Sequence, residues 1–119
     1  MSAHPKNSTY LGADYVVLAP VGALDFYSSP GFRKQVEEAL VGRGAARLVC
    51  CDLSGVDFMD STALGELVRA RRKSLDAGAR FCIVGASASC KRVLRWTQLD
   101  TVIPGFETIP EAIFAMGGD

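Results

Sequence analysis

Four oxygen-bearing side chains, Asp57, Asp60, Ser61 and Thr62, crowd into six residues between two apolar segments. The run before them, Leu48-Val49-Cys50-Cys51, reads as a buried strand. The segment after them, Leu64 to Ala77 with Gly78 at its end, has the spacing of an amphipathic helix. Asp60, Ser61 and Thr62 therefore fall at a helix N-terminus, where side-chain oxygens accept from unpaired backbone N–H groups. The same end favours an added negative charge, phosphate included. Two readings fit: the residues cap the helix, or one hydroxyl takes a phosphoryl group and acts as a switch. Asp57 and Asp60 would suit weak binding of a divalent cation, although loop carboxylates serve more commonly as turn formers.

Other chemistry is sparsely provided for. The single histidine, His4, sits in a polar N-terminal stretch, so no Ser-His-Asp or Cys-His pairing is in view. Neither a glycine-rich phosphate loop with its lysine nor a G-x-G-x-x-G follows a strand. The acids that a phosphoaspartate site would cluster after the first strand are also missing. Cys50, Cys51, Cys82 and Cys90 contain no C-x-x-C pair, and Cys50 and Cys51 must point to opposite faces of one strand. They read as small core residues. The expectation is a chain that is not an enzyme and carries no cofactor or metal.

Thirteen basic and thirteen acidic side chains cancel, so no overall field favours nucleic acid or an anionic membrane. No apolar run reaches the roughly 18 to 20 residues that span a bilayer, and the N-terminus lacks the apolar core of a signal peptide. A cytoplasmic protein without direct membrane insertion is the expectation. A length of 119 residues suits one domain with a real core.

The elements that must position the hydroxyls can be read in order. Tyr10-Leu11 and Tyr15 to Leu18, separated by Gly12-Ala13-Asp14, suit a tight hairpin. Pro20 should end regular pairing before Gly22. Ser29-Pro30 offers a capping hydroxyl and a proline at the first helical position, followed by a stripe of Phe32, Val36, Ala39 and Leu40. Gly42 and Gly44 should stop that helix. Arg47 to Leu53 and Arg80 to Val84 read as buried strands. In the helix after Ser61, Leu64, Leu67, Val68 and Leu75 share one sector, with Arg71 among them and Arg69, Arg72 and Lys73 opposite. Ser87 or Ser89 caps a helix carrying Cys90, Val93 and Leu94 inward. A short strand near Pro104-Gly105 precedes a closing helix from Pro110 with Ile109, Ile113 and Met116 inward. The order β, β, α, β, α, β, α, β, α predicts an α/β fold. Leu48, Val49, Phe81, Ile83, Leu64, Leu67, Val36 and Val93 are expected to form one core.

Asp60-Ser61-Thr62-Ala63-Leu64-Gly65 resembles the D-S-[ST]-G-L-G signature of STAS domains, specifically of bacterial anti-sigma factor antagonists. Gly22-Ala23-Leu24-Asp25 resembles the family's G-x-L-D. Val93 to Asp100 resembles its late v-L-x-x-t-G-L-D, and Ile109 to Ala115 its closing x-x-E-A-l helix. The resemblance implies a STAS fold, a mixed, largely parallel sheet of four to five strands packed with about four helices. One domain over 9–116 would lie between flexible ends at 1–8 and 117–119. Ala63 and Gln98 depart from the pattern, each standing where the family has glycine.

The resemblance further implies that Ser61 is phosphorylated and that Asp25, Phe58, Met59, Asp60, Ser61, Thr62, Leu64 and Gly65 meet the partner. That partner is an anti-sigma factor with a histidine-kinase-like ATPase fold. A metal-dependent serine/threonine phosphatase reverses the modification, and ATP and Mg²⁺ belong to the kinase. The chain would thus regulate transcription by partner switching. The alternative is a STAS subunit of a larger assembly, such as a lipid-transport ATPase complex or a stress-signalling scaffold, in which Ser61 is only a cap.

Overall fold

The computed structural model describes residues 8–11, 15–41 and 47–116. Strand β1 (Ser8–Leu11) pairs antiparallel with β2 (Tyr15–Leu18), Leu11 lying opposite Tyr15, which is the hairpin the sequence suggests. Regular pairing of β2 stops at Leu18, ahead of Pro20, and the chain re-enters extended structure as β3 (Gly22–Leu24) in a different sheet. Gly22 makes that change of direction with φ 86°, a left-handed conformation that glycine adopts at little cost.

Helix α1 (Ser29–Leu40) is followed by β4 (Leu48–Asp52), β5 (Val56–Met59) and α2 (Ser61–Asp76). Then come β6 (Arg80–Val84), α3 (Ala88–Trp96), a 3-10 turn (Leu99–Thr101), β7 (Gly105–Phe106) and α4 (Ile109–Met116). The main sheet has the order β1-β2-β4-β6-β7, parallel throughout except for the first hairpin. The expected mixed, largely parallel sheet with four helices is therefore present. Beside it lies a two-stranded parallel sheet of β3 and β5.

Alternation along the central strands divides the interior in two. Val49 and Cys51 of β4, with Phe81 and Ile83 of β6, face a core closed by α1, α2 and α3. Leu48, Cys50, Cys82 and Val84 face the opposite side, where Ala112 and Met116 of α4 cover them. The single core expected from the sequence is corrected on this point: Leu48 belongs to the second face, because neighbouring residues of a strand point opposite ways. All four cysteines are buried and unlinked, Cys50 and Cys51 on opposite faces.

Three local expectations change. Val56–Met59 forms a strand that no simple alternation announces, since both Asp57 and Phe58 are exposed. Helix α2 starts at Ser61 rather than Leu64, and its buried face is Ala63, Leu67, Ala70 and Ser74 together with Glu66. Val68 and Leu75 are 40% and 47% exposed, because small Ala63 and Ala70, rather than the bulkier residues, set the side that approaches the sheet. Ser29 does not cap α1; it is the first helical residue, and its Oγ donates to the Asp25 carbonyl at 2.6 Å. The apolar stripe of α1 stands as expected, with Phe32, Val36 and Ala39 buried. Ser87 caps α3, its Oγ accepting from Cys90 N–H at 3.2 Å. Gly42, Gly44 and the ends expected to be flexible, Ser8 apart, lie outside the described residues.

Candidate functional site

The exposed end of α2 is built around Asp60. Its Oδ1 accepts from Ala63 N–H at 3.0 Å, and its carbonyl accepts from Leu64 N–H at 3.2 Å, so it is the helix cap. Its Oδ2 leaves the helix and accepts from the N–H of Phe26 at 3.1 Å. Its own N–H donates to the Leu24 carbonyl at 3.4 Å. Pairing of β3 with β5, in which Leu24 stands opposite Met59, brings these distant segments together.

Asp25 organises the other half. Its Oδ1 accepts from Tyr27 N–H and Ser28 N–H, both at 3.0 Å, and Ser28 Oγ accepts from Asp25 N–H at 2.9 Å. The carboxylate is thus used inside its own turn, and what the turn displays is aromatic. Phe26 is 65% exposed and Tyr27 87% exposed, their rings edge to face with centroids 5.4 Å apart. Phe58, 54% exposed on β5, adds a third aromatic side chain to this end of the molecule.

The residues singled out from sequence separate into two groups. Phe58, Ser61 and Gly65 are exposed, and Asp25, Asp60, Thr62 and Leu64 are half-buried. Leu64 packs against the core, and Met59, only 8% exposed, is part of it, so these two support the site from below. Ser61 is the first residue of α2, with its side chain exposed to solvent. Gly65 sits inside a helix at a cost of about 1 kcal/mol relative to alanine. No atom stands within 4 Å of the place a Cβ would take, so nothing within the chain demands glycine there. The bare backbone is open to close approach from outside.

Sequence reading missed Phe26, Tyr27, Arg33 and Glu66. The signal for the first two was available: adjacent aromatics in a turn between Asp25 and a serine-proline helix start. They line a groove of about 450 Å³ between the starts of α1 and α2, with Pro30, Arg33, Thr62 and Glu66 on its walls. Arg33 of α1 holds the buried Glu66 of α2 with two bonds from one guanidinium edge, Nη2 to Oε2 and Nε to Oε1, the latter at 3.3 Å. The Glu66 carboxylate in turn raises the Arg33 pKa above its ordinary value. Arg69 and Glu37 form a looser second pair between the same helices at 3.5 Å. Both pairs fix the relative placement of α1 and α2, and so the groove.

Among the described residues no cluster of three or more His, Cys, Asp or Glu could hold a metal ion. No described helix is long and apolar enough to cross a membrane. What this end of the molecule offers chemically is an exposed hydroxyl at a helix start, framed by aromatic side chains on a backbone tied together by one carboxylate.

The fold and this site define a STAS domain: the family's model matches residues 6–112, and the chain belongs to that family. A relative from Thermotoga neapolitana named "putative anti-sigma factor antagonist" is 30% identical over 105 residues, which is 88% of this chain and 92% of the relative. The crystal structure of a "putative anti-sigma factor antagonist" from Thermotoga maritima superposes with a TM-score of 0.80 at 26% identity, covering 92% of each chain. The anti-sigma factor antagonist SpoIIAA in its unphosphorylated form shares the fold with a TM-score of 0.78 at 21% identity, over 94% of this chain and 96% of that one. SpoIIAA from Bacillus has also been solved in a phosphorylated form, matched with a TM-score of 0.68 at 21% identity over 91% of this chain and 96% of that one.

The two departures from the family pattern now have structural addresses. Ala63 is fully buried, so its methyl group fills core space beneath the site. Gln98, between α3 and the 3-10 turn, has φ 62°, a left-handed conformation in which glycine is the favoured residue.

Proposed function

We propose that this chain is an anti-sigma factor antagonist: a non-catalytic cytoplasmic protein that binds an anti-sigma factor and is switched off by phosphorylation of Ser61. The observation that carries the reading is the exposure of Ser61 at the start of α2, beside Phe26, Tyr27 and Phe58 on a platform tied by Asp60. A partner seated on that platform covers the hydroxyl. Asp25 and Met59 support the surface, and Phe58, Ser61, Thr62 and Gly65 meet the partner with the two aromatic residues of the turn.

Phosphorylation adds about −1.5 to −2 charges at this point. Within the domain the helix end offsets part of the cost, by about 0.3 to 1 kcal/mol, so the fold survives. In the complex the dianion lies under the partner with Asp57 and Asp60 nearby. Every 1.4 kcal/mol lost there weakens binding about tenfold. Association is therefore switched without any refolding. The partner in this reading is an anti-sigma factor of histidine-kinase-like fold, which supplies ATP and Mg²⁺. A metal-dependent serine/threonine phosphatase resets the switch.

The test is incubation of the purified chain with the candidate anti-sigma factor and ATP, followed by phosphosite mapping and titration of the modified and unmodified forms. Phosphate on Ser61 with loss of binding is the expected result. Stable association with an assembly subunit, and no phosphate on either hydroxyl, would replace this reading with that of a constitutive STAS subunit.

A further inference from the structure

A second concavity lies apart from the α2 platform, beyond the carboxyl ends of β6 and β7. It encloses about 250 Å³ between α3, the 3-10 turn and β7. That is room for a small metabolite. Its apolar lining comes from Leu94, Leu99, Ile103 and Phe106.

The charged residues on its walls are of two kinds. Lys91 and Glu107 form an ion pair with each other. Arg95 and Asp100 also line the pocket, yet neither side chain has a partner among the described residues. They stand on either side of Gln98, whose left-handed backbone turns the chain from α3 into the 3-10 segment. One exposed guanidinium, which can bind a carboxylate with two parallel hydrogen bonds, thus shares the rim of an apolar-floored pocket with one exposed carboxylate. We propose that this pocket binds a small zwitterion with an apolar tail, the chemistry of a free α-amino acid with a hydrocarbon side chain. Arg95 takes its carboxylate, Asp100 takes its ammonium group, and the side chain enters the pocket. The site is independent of Ser61 and needs neither partner nor phosphate.

The experiment is titration of the whole unmodified chain, followed by amide NMR shifts, with L-leucine and L-phenylalanine. Isovalerate and isopentylamine, each carrying one of the two charges, are the comparison ligands. Saturable shifts confined to Leu94 to Glu107 are expected for the amino acids, with each single-charge ligand at least about tenfold weaker, as befits loss of one charged hydrogen-bonded contact. Arg95→Gln and Asp100→Asn remove surface charges without touching the core, and each should weaken the amino acids to a similar degree. Shifts elsewhere, equal affinity for isovalerate, unchanged binding by both variants, or no saturable shift would each overturn the proposal. None of these outcomes bears on the Ser61 switch.

Discussion

Asp60 Oδ2 accepts the backbone N–H of Phe26 at 3.1 Å, joining two residues 34 positions apart in the chain. The same carboxylate caps α2 through Ala63 N–H. One side chain therefore couples the orientation of the helix carrying Ser61 to the turn carrying the exposed aromatics.

Asp60→Ala should lose both bonds and destabilise the domain by about 1–2 kcal/mol, the upper part of the range for a helix cap. Asp60→Asn should lie between wild type and alanine, because its one carbonyl oxygen replaces two carboxylate oxygens. Urea unfolding of the three proteins measures the order. Equal stability of wild type and alanine would show that the tie contributes nothing.

Ser61→Ala should fold as well as wild type, within about 0.5 kcal/mol, because Ser61 is exposed and Asp60, not Ser61, is the cap. It should hold the anti-sigma factor persistently in the presence of ATP. Ser61→Glu should bind more weakly than wild type but less weakly than the phosphoprotein, one carboxylate bringing about half the charge of phosphate. Thr62→Ala should leave phosphorylation intact. Affinities measured with and without ATP separate these outcomes; phosphate on Thr62 alone would move the switch by one residue.

Gln98→Gly should stabilise the domain by about 0.5–1 kcal/mol. A side chain in the left-handed region costs about 1–2 kcal/mol, from which the extra freedom of glycine in the unfolded chain subtracts. Gln98 is exposed, and its carbonyl accepts from Thr101 Oγ1 through backbone alone, a bond that glycine retains. Thermal melting of the pair tests this, and a lowered midpoint would reject it.

The thiols should be inert in the folded protein. Burial pushes the Cys51 thiol far above its ordinary pKa, and the sulfur of Cys82 shares a hydrogen bond with that of Cys50 at 3.7 Å. A thiol held protonated, as Cys51 is, is neither a nucleophile nor a metal ligand, and burial keeps reagents from Cys50, Cys82 and Cys90 as well. Alkylation followed by mass measurement should find none of Cys50, Cys51, Cys82 and Cys90 modified until denaturant is added. Rapid labelling of Cys51 in the native state would contradict its burial.

The main sheet and all four helices were legible because their residues carry strong periodicity, as in Phe32, Val36 and Ala39 or in the unbroken apolar runs of β4 and β6. The strand Val56–Met59 was not, because a two-stranded sheet at the rim buries only its end residues. The face of α2 was misjudged where hydrophobicity and size disagree: close approach to the sheet selects Ala63, Ala70 and Ser74 over Val68 and Leu75. Of the site, the helix start at Ser61 could be read locally. Phe26 and Tyr27 offered a local signal, adjacent aromatics in a turn, but their placement beside α2, like the Arg33–Glu66 pair, arises from long-range neighbours that local spacing does not encode.

The small parallel pairing of β3 with β5 also determines what a peptide can imitate. It is this pairing that lays Phe26 and Tyr27 beside the start of α2, so the surface around Ser61 is discontinuous in the chain. A peptide copied from residues 58–65 carries the hydroxyl without the aromatic turn, and a chain halted in synthesis before residue 61 carries the turn without the hydroxyl. Whatever recognises the whole surface is thereby reading foldedness along with sequence.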